Sequence, residues 1–225
     1  MALQSKAFES LAQPSSDESL DVTLGDLRFR ALLSDEDWER LPLATRRRFT
    51  KRLAGGNTAV YVGEVVDVRF SRIGWWTAQM ARLIGKPLPT GGDTQVPAIV
   101  TVTEDAASGG QVWTRIYARR NGFPQVIHSS KRFAGPTGLE EYLGRGIGMA
   151  LRISVDGEAL RFHSAGYFLQ IGRMRLALPA FLTPGALTVS HSDMGGDQFR
   201  FTLEIIHRHF GMLVHQSAVF REATP

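Results

Sequence analysis

From residue 95 onward, apolar and polar side chains alternate along the chain in runs separated by short clusters rich in glycine. A period of two puts successive side chains on opposite faces and predicts strands, here over 95–104, 111–120, 123–133, 146–155, 158–170, 185–193, 197–208 and 212–221. The connectors Ser108-Gly109-Gly110, Asn121-Gly122, Asp156-Gly157 and Gly195-Gly196-Asp197 carry the residues that tight hairpins demand. An earlier run, TAVYVGEVVDVRF, alternates Val60, Val62, Val66, Val68 and Phe70 with Tyr61, Gly63, Asp67 and Arg69, broken at Glu64.

Elsewhere the period is helical. Ser34 followed by Asp35, Glu36 and Asp37 reads as an N-cap with acids in the first turn, where the helix dipole favours them. A second helix is predicted from near Pro42 through Leu53, with Lys51 and Arg52 in its last turn and Gly55-Gly56 ending it. In GWWTAQMARLIGKPLP a third helix places Trp76, Met80, Leu83 and Ile84 on one side, and GPTGLEEYLG at 135–144 reads as one helical turn. Pro179 and Pro184 sit badly in a central strand, so LALPAFLTPG is expected to leave the sheet and cross a barrel end, with Phe181 and Leu182 packing there or forming a lid.

Together these elements predict a mainly β (α+β) fold. The expected form is a curled antiparallel sheet or partly closed β-barrel with two or three N-terminal helices, since curling removes exposed strand edges. Residues 1–20 show little periodicity and read as a flexible tail, leaving 21–225 as a single β-rich domain.

Composition narrows the chemistry. The 225 residues are 43% hydrophobic and carry a net charge of +4, ordinary values for a globular chain. The basic excess bears on solubility and encounter rate and does not by itself point to nucleic acid. With no cysteine, a disulfide framework, a thiolate zinc site and a cysteine nucleophile are excluded. No secretory signal is visible, and no apolar run approaches the roughly 18 residues of a membrane span, so a cytoplasmic location is expected and only peripheral membrane contact stays open.

Candidate chemistry is sparse. Trp113, Arg115 and Tyr117 share one strand face; facing inward, the arginine would anchor a carboxylate or phosphate, and facing outward it would pair with a cross-strand acid. His128, His163, His191 and His215 lie on separate strands. In HRHFGMLVHQ, at 207–216, His207 and His209 lie two apart, but no third ligand has metal-site spacing, so the stretch reads as a hairpin tip and no metal is expected. GRGIG at 144–148 has Met149 where G-x-G-x-x-G needs glycine and runs into a strand, so no dinucleotide cofactor is expected. No G-x-S-x-G elbow surrounds any serine.

The order of landmarks VPAIVTVTED, VWTRIYARR, IHSSKRF, LEEYLGRGIGMALRI, LALPAFLTP and DQFRFTLEIIHRHFGMLVHQSAVF resembles the bacterial domain-of-unknown-function family numbered 4166, over roughly residues 40–221. The chain departs from that pattern at Gln216, where an aromatic residue is expected. The resemblance implies a domain often found after a dinucleotide-binding reductase domain, and it supplies no catalytic residue.

Three functions remain. The leading one is a container for an apolar or amphipathic small molecule, an accessory to a reductase by the resemblance, with Trp113, Arg115, Tyr117, His128, Glu204 and His215 as candidate ligand-binding residues. The second is an enzyme in which Arg115 binds an anion while Glu204, His128 or His215 moves a proton, although no catalytic motif is present. The third is a structural interaction domain with a filled interior.

Overall fold

The computed structural model describes residues 25–85 and 87–223; the expected tail at 1–20 lies outside the described residues. A short helix α1 (Asp35–Arg40) is followed by α2 (Leu43–Phe49), β1 (Ala59–Phe70) and α3 (Arg72–Met80), which runs on into a 3-10 turn (Ala81–Ile84). Ten further strands follow: β2 (Val96–Asp105), β3 (Gly110–Tyr117), β4 (Gln125–Arg132), β5 (Glu140–Gly144), β6 (Ile147–Asp156), β7 (Ala159–Ile171), β8 (Met174–Ala177), β9 (Ala186–Gly195), β10 (Gln198–His207) and β11 (Gly211–Glu222).

Strand neighbours run β6-β5-β4-β3-β2-β1-β11-β10-β9-β7, and antiparallel pairing of β6 with β7 closes the ring into a ten-strand barrel. The expected partly closed barrel is thus fully closed, with β8 a spur on the outer end of β7. Each predicted strand from residue 95 onward is present within a few residues of its expected ends.

Two expectations need correction. Residues 135–144 are not a helical turn: Gly135 and Gly138 take φ of +78° and +75° in a turn, and Glu140–Gly144 pairs with β4 and β6. The left-handed glycines break any helical hydrogen-bond pattern there. The second helix stops at Phe49, with Thr50 as its C-cap, so Lys51 and Arg52 lie beyond it. In β1 the inward side chains are Ala59, Tyr61 and Val65; a bulge between Val65 and Asp67 leaves Val66 exposed and reverses the parity, so that Val68 and Phe70 turn toward the core.

The N-cap reading of α1 holds: the Ser34 hydroxyl accepts from the Asp37 N–H at 3.1 Å. The two ends of the barrel differ. At the far end Phe29 meets Phe49, Phe133 and Phe162 edge-on, with ring centroids 5.3, 4.9 and 6.1 Å away. Arg48 of α2 lays its guanidinium 3.8 Å over the Phe199 ring, so the N-terminal helices plug that end.

At the other end α3 rests on β11 through its smallest residues, Gly74 and Ala78. Its Ser71 caps the helix by accepting from the Gly74 N–H at 3.0 Å, and the Ser71 N–H donates to the Leu213 carbonyl at 3.0 Å. A Cβ at Gly74 would overlap the Leu213 carbonyl, so this approach requires glycine. Gly74→Ala should therefore lower stability by about 1–3 kcal/mol, the usual effect of overpacking, as measured by urea unfolding.

Candidate functional site

The half of the barrel next to α3 is hollow. A cavity of about 530 Å³ opens between α3 and the 178–184 crossover, and its walls are mostly aliphatic and aromatic, including Ile127, Met149, Leu203 and Ile205. Its mouth is framed by Trp76 and Met80 of α3 on one side and by Leu178, Phe181 and Pro184 on the other. The crossover leaves the sheet as its two prolines require, but Phe181 is 80% exposed, so it edges the mouth instead of joining the core.

The opening arises from β7. Leu160 to His163 pair with β9 and Phe168 to Ile171 pair with β8, so the two neighbours diverge and the wall gapes between them. At the same end of the barrel, the loop at 87–90 is tied down by Gln125 of β4, which donates to the Leu88 carbonyl at 2.7 Å and accepts from the Thr90 N–H at 2.9 Å.

At the cavity floor sits a buried charge cluster. Trp113, Arg115 and Tyr117 point inward, as do Lys131 of β4 and Glu141 of β5. The Glu141 carboxylate accepts from Arg115 at 3.3 Å and lies 3.2 Å from Lys131 Nζ, and all three side chains are almost fully buried. Lys131 Nζ also lies 4.6 Å from the Trp113 ring centroid, a cation–π contact. Burial pulls the Lys131 ammonium below the ordinary lysine value. Burial also pushes Glu141 up, but the Lys131 and Arg115 charges outweigh it and hold the carboxyl at about 2.

Two polar atoms here are orphaned. Arg115 Nε and the Tyr167 hydroxyl are buried with no hydrogen-bond partner among the described residues. Both residues line the cavity, as does Gln216, the position where the family resemblance leads one to expect an aromatic ring. Burial raises the Tyr167 hydroxyl to about 12 and pushes Tyr117 up as well.

The remaining sequence candidates lie elsewhere. His128 is exposed on the outer face of β4 and pairs with the Thr114 hydroxyl at 3.0 Å. His215 and Glu204 also face outward, joined at 3.2 Å, with Asp67 at 3.6 Å from the other ring nitrogen. Strand parity explains the division: each is an odd number of positions from an inward residue, so it stands on the opposite side of the wall from Arg115. The convergence of Arg115 with His128, Glu204 or His215 required by the acid–base reading is absent.

His191 is the interior histidine, ringed by Phe49, Trp113, Phe162, Phe199 and Phe201. Burial first, then the nearby Arg48, Lys131 and Arg115 charges, keep it neutral, well below the usual histidine range. His207 and His209 stand 5.7 Å apart at the β10–β11 tip, His207 stacks on Phe210, and its Nδ1 accepts from the His209 N–H. Among the described residues no three histidine or carboxylate side chains gather as a metal site would require.

Glu141, Lys131 and Tyr167 were missed in the sequence. The available signal was the inward parity of Lys131 and Ser129 with Ile127, and the match of Glu140-Glu141 to Lys131-Arg132 across a strand pair. The helical reading of 135–144 concealed it.

The architecture defines a closed antiparallel β-barrel, filled at one end and hollow at the other. The chain belongs to the family described as a domain of unknown function (DUF4166), which it matches over residues 41–220. No curated protein and no solved structure matches it. Among the described residues no helix is long and apolar enough to cross a membrane.

Because Glu141 is lower in the folded state than its unfolded value near 4.3, its contribution is present above about pH 4.5 and is lost as pH falls toward about 2. Glu141→Gln should remove that part of the acid dependence. It should also destabilise the protein at neutral pH by about 3–5 kcal/mol, because two buried cations lose their counter-ion. Urea unfolding at neutral and acidic pH measures both effects.

Proposed function

We propose that the domain is a container for an amphipathic small molecule, its apolar body in the hollow half of the barrel and its anionic head against Arg115. The observation that carries this reading is the cavity of about 530 Å³, within the range of small-molecule sites, with a cationic group at its floor. Arg115 and Lys131 share Glu141 as their one carboxylate, which leaves the cluster with a net positive charge, and Arg115 lines the cavity. A carboxylate or phosphate supplies the negative charge that this cluster lacks.

The same groups argue against proton transfer in the cavity. A general base works best with a value near the operating pH, whereas Glu141 is held at about 2 and Tyr167 at about 12. Fixed charges and orphaned donors suit recognition better than acid–base turnover. An accessory role beside a reductase, as the family resemblance implies, fits a barrel that encloses the apolar body of a substrate and leaves one end open. A purely structural domain would leave the hollow half unexplained.

The test uses a fluorescent long-chain fatty acid and the alcohol of the same chain length. The wild type should bind both. Arg115→Gln should weaken the acid roughly ten- to a hundredfold, the usual worth of a charged hydrogen bond, and leave the alcohol nearly unchanged. Leu203→Trp, which fills the cavity, should weaken both. Binding of neither probe, together with no apolar molecule in an organic extract of the purified protein, overturns the container. Equal loss for acid and alcohol in Arg115→Gln overturns only the placement of the head group.

A further inference from the structure

The cavity mouth is bordered by four segments that form a continuous ring. A Cβ on Gly144, in the β5–β6 turn, would overlap the Ile84 carbonyl, and one on Gly146 would overlap that of Gln170, at the end of β7. Past the β8 spur, Gly185 of the crossover sits equally tightly against Ile206, and α3 closes the ring through Gly74 on Leu213. The ring therefore comprises residues 71–85, 143–147, 171–187 and 206–213.

Its composition is one-sided. These segments hold Arg72, Arg82, Arg145, Arg173, Arg175 and Arg208 and not one aspartate or glutamate. Arg175 is paired with Glu140 of β5, and the other five are exposed. Large apolar side chains stand among them: Trp75, Trp76, Met80, Leu83, Phe181 and Phe210 are all exposed. Trp75 and Trp76 pack edge to face with ring centroids 5.0 Å apart. At the far end the signs are mixed, with Asp105, Asp156, Glu158 and Asp197 in the turns and Arg46, Arg47, Arg48, Lys51 and Arg52 on α2 and just after it, so the acid-free ring is at the mouth.

Isolated exposed apolar residues are ordinary, but a connected apolar ring studded with arginine is an interaction surface. We infer that this rim docks on an anionic lipid bilayer, the arginines meeting headgroup phosphates while the tryptophans and Phe181 enter the interface. Tryptophan favours the headgroup level, arginine extends its stem over apolar surface while its charge stays with water and phosphate, and clustered cations bind anionic leaflets. The position of the rim favours a bilayer over an acidic protein. It encircles the opening of an apolar cavity, and an amphipathic molecule passing between cavity and bilayer there avoids water. The docking needs only the rim and stands whether or not the cavity holds a ligand.

The test is flotation of the full chain with vesicles of phosphatidylcholine containing phosphatidylglycerol, with phosphatidylcholine alone as the comparison. Binding is expected to the mixed vesicles, to weaken with added salt and to shift tryptophan emission to the blue. The pair Trp76→Asp and Phe181→Asp, and separately the pair Arg82→Glu and Arg208→Glu, should each weaken binding at least about tenfold without changing the melting temperature, since all four side chains are exposed. No flotation of the wild type, or flotation that both pairs leave unchanged, overturns the inference. So does rim-dependent retention on immobilised polyglutamate without vesicle binding, which would assign the surface to an acidic polypeptide.

Discussion

Closure of the barrel through β7 is the constraint on which the rest depends. One edge of this strand pairs with β6 along nearly its whole length, while the other must change partners midway, from β9 to β8. Buried backbone groups at the changeover still need partners. The Tyr167 carbonyl accepts from the Leu178 N–H at 2.8 Å, and the Ser164 hydroxyl accepts from the Leu187 N–H at 2.9 Å. Gly166, with φ of +121°, lets the chain bend between them. Had β9 stayed beside β7 to its end, the wall would be continuous and its inward side chains would occupy the space that is now cavity.

The filled half and the hollow half meet at the Arg115–Glu141–Lys131 cluster. Burying three charges is expensive, and well-packed apolar residues of the same volume would serve stability as well or better. On the container reading proposed above, these charges answer to the anionic head the cavity would receive rather than to a need of the core. Toward the far end Lys131 meets the rings of Trp113 and Phe162, where cation–π contact replaces lost hydration. Toward the mouth Arg115 has no such cover.

Much of the fold was legible because period-two alternation and glycine turns are local signals. Asp156-Gly157 announces its tight hairpin without help from the rest of the chain, Asn121-Gly122 sits instead within a longer loop between β3 and β4, and the two prolines of the crossover announce its departure from the sheet. Ring closure was not legible, since pairing of β6 with β7 along their full length, with β9 and β8 sharing the other edge, depends on curvature accumulated over the whole sheet. Parity told which residues share a face but not which face is inside: Trp113, Arg115 and Tyr117 travel together, and so do Thr114 and His128 on the opposite side. Glu141 was lost for a different reason, because LEEYLG has a helical composition and only its neighbours make it a strand. In α3 the apolar side was read correctly as a face, but its burial was decided by Gly74 and Ala78, which let the backbone approach β11 and turned Trp76 and Met80 outward.

The exposure of that apolar face bears on how the two ends divide their tasks. A helix anchored by large residues would be rigidly placed and would fill the barrel end beneath it. Anchored instead by small residues and one serine cap, α3 buries little apolar area and holds its position mainly through close backbone contact. Local opening of such an element is inexpensive compared with global unfolding, while the interlocked aromatics around Phe29 and His191 keep the opposite end fixed. On the container reading proposed above, the mouth would be the part to loosen for entry, leaving undisturbed the packing that keeps the ring of strands closed. Stability concentrated at one end is what makes an open, apolar and positively charged end tolerable at the other.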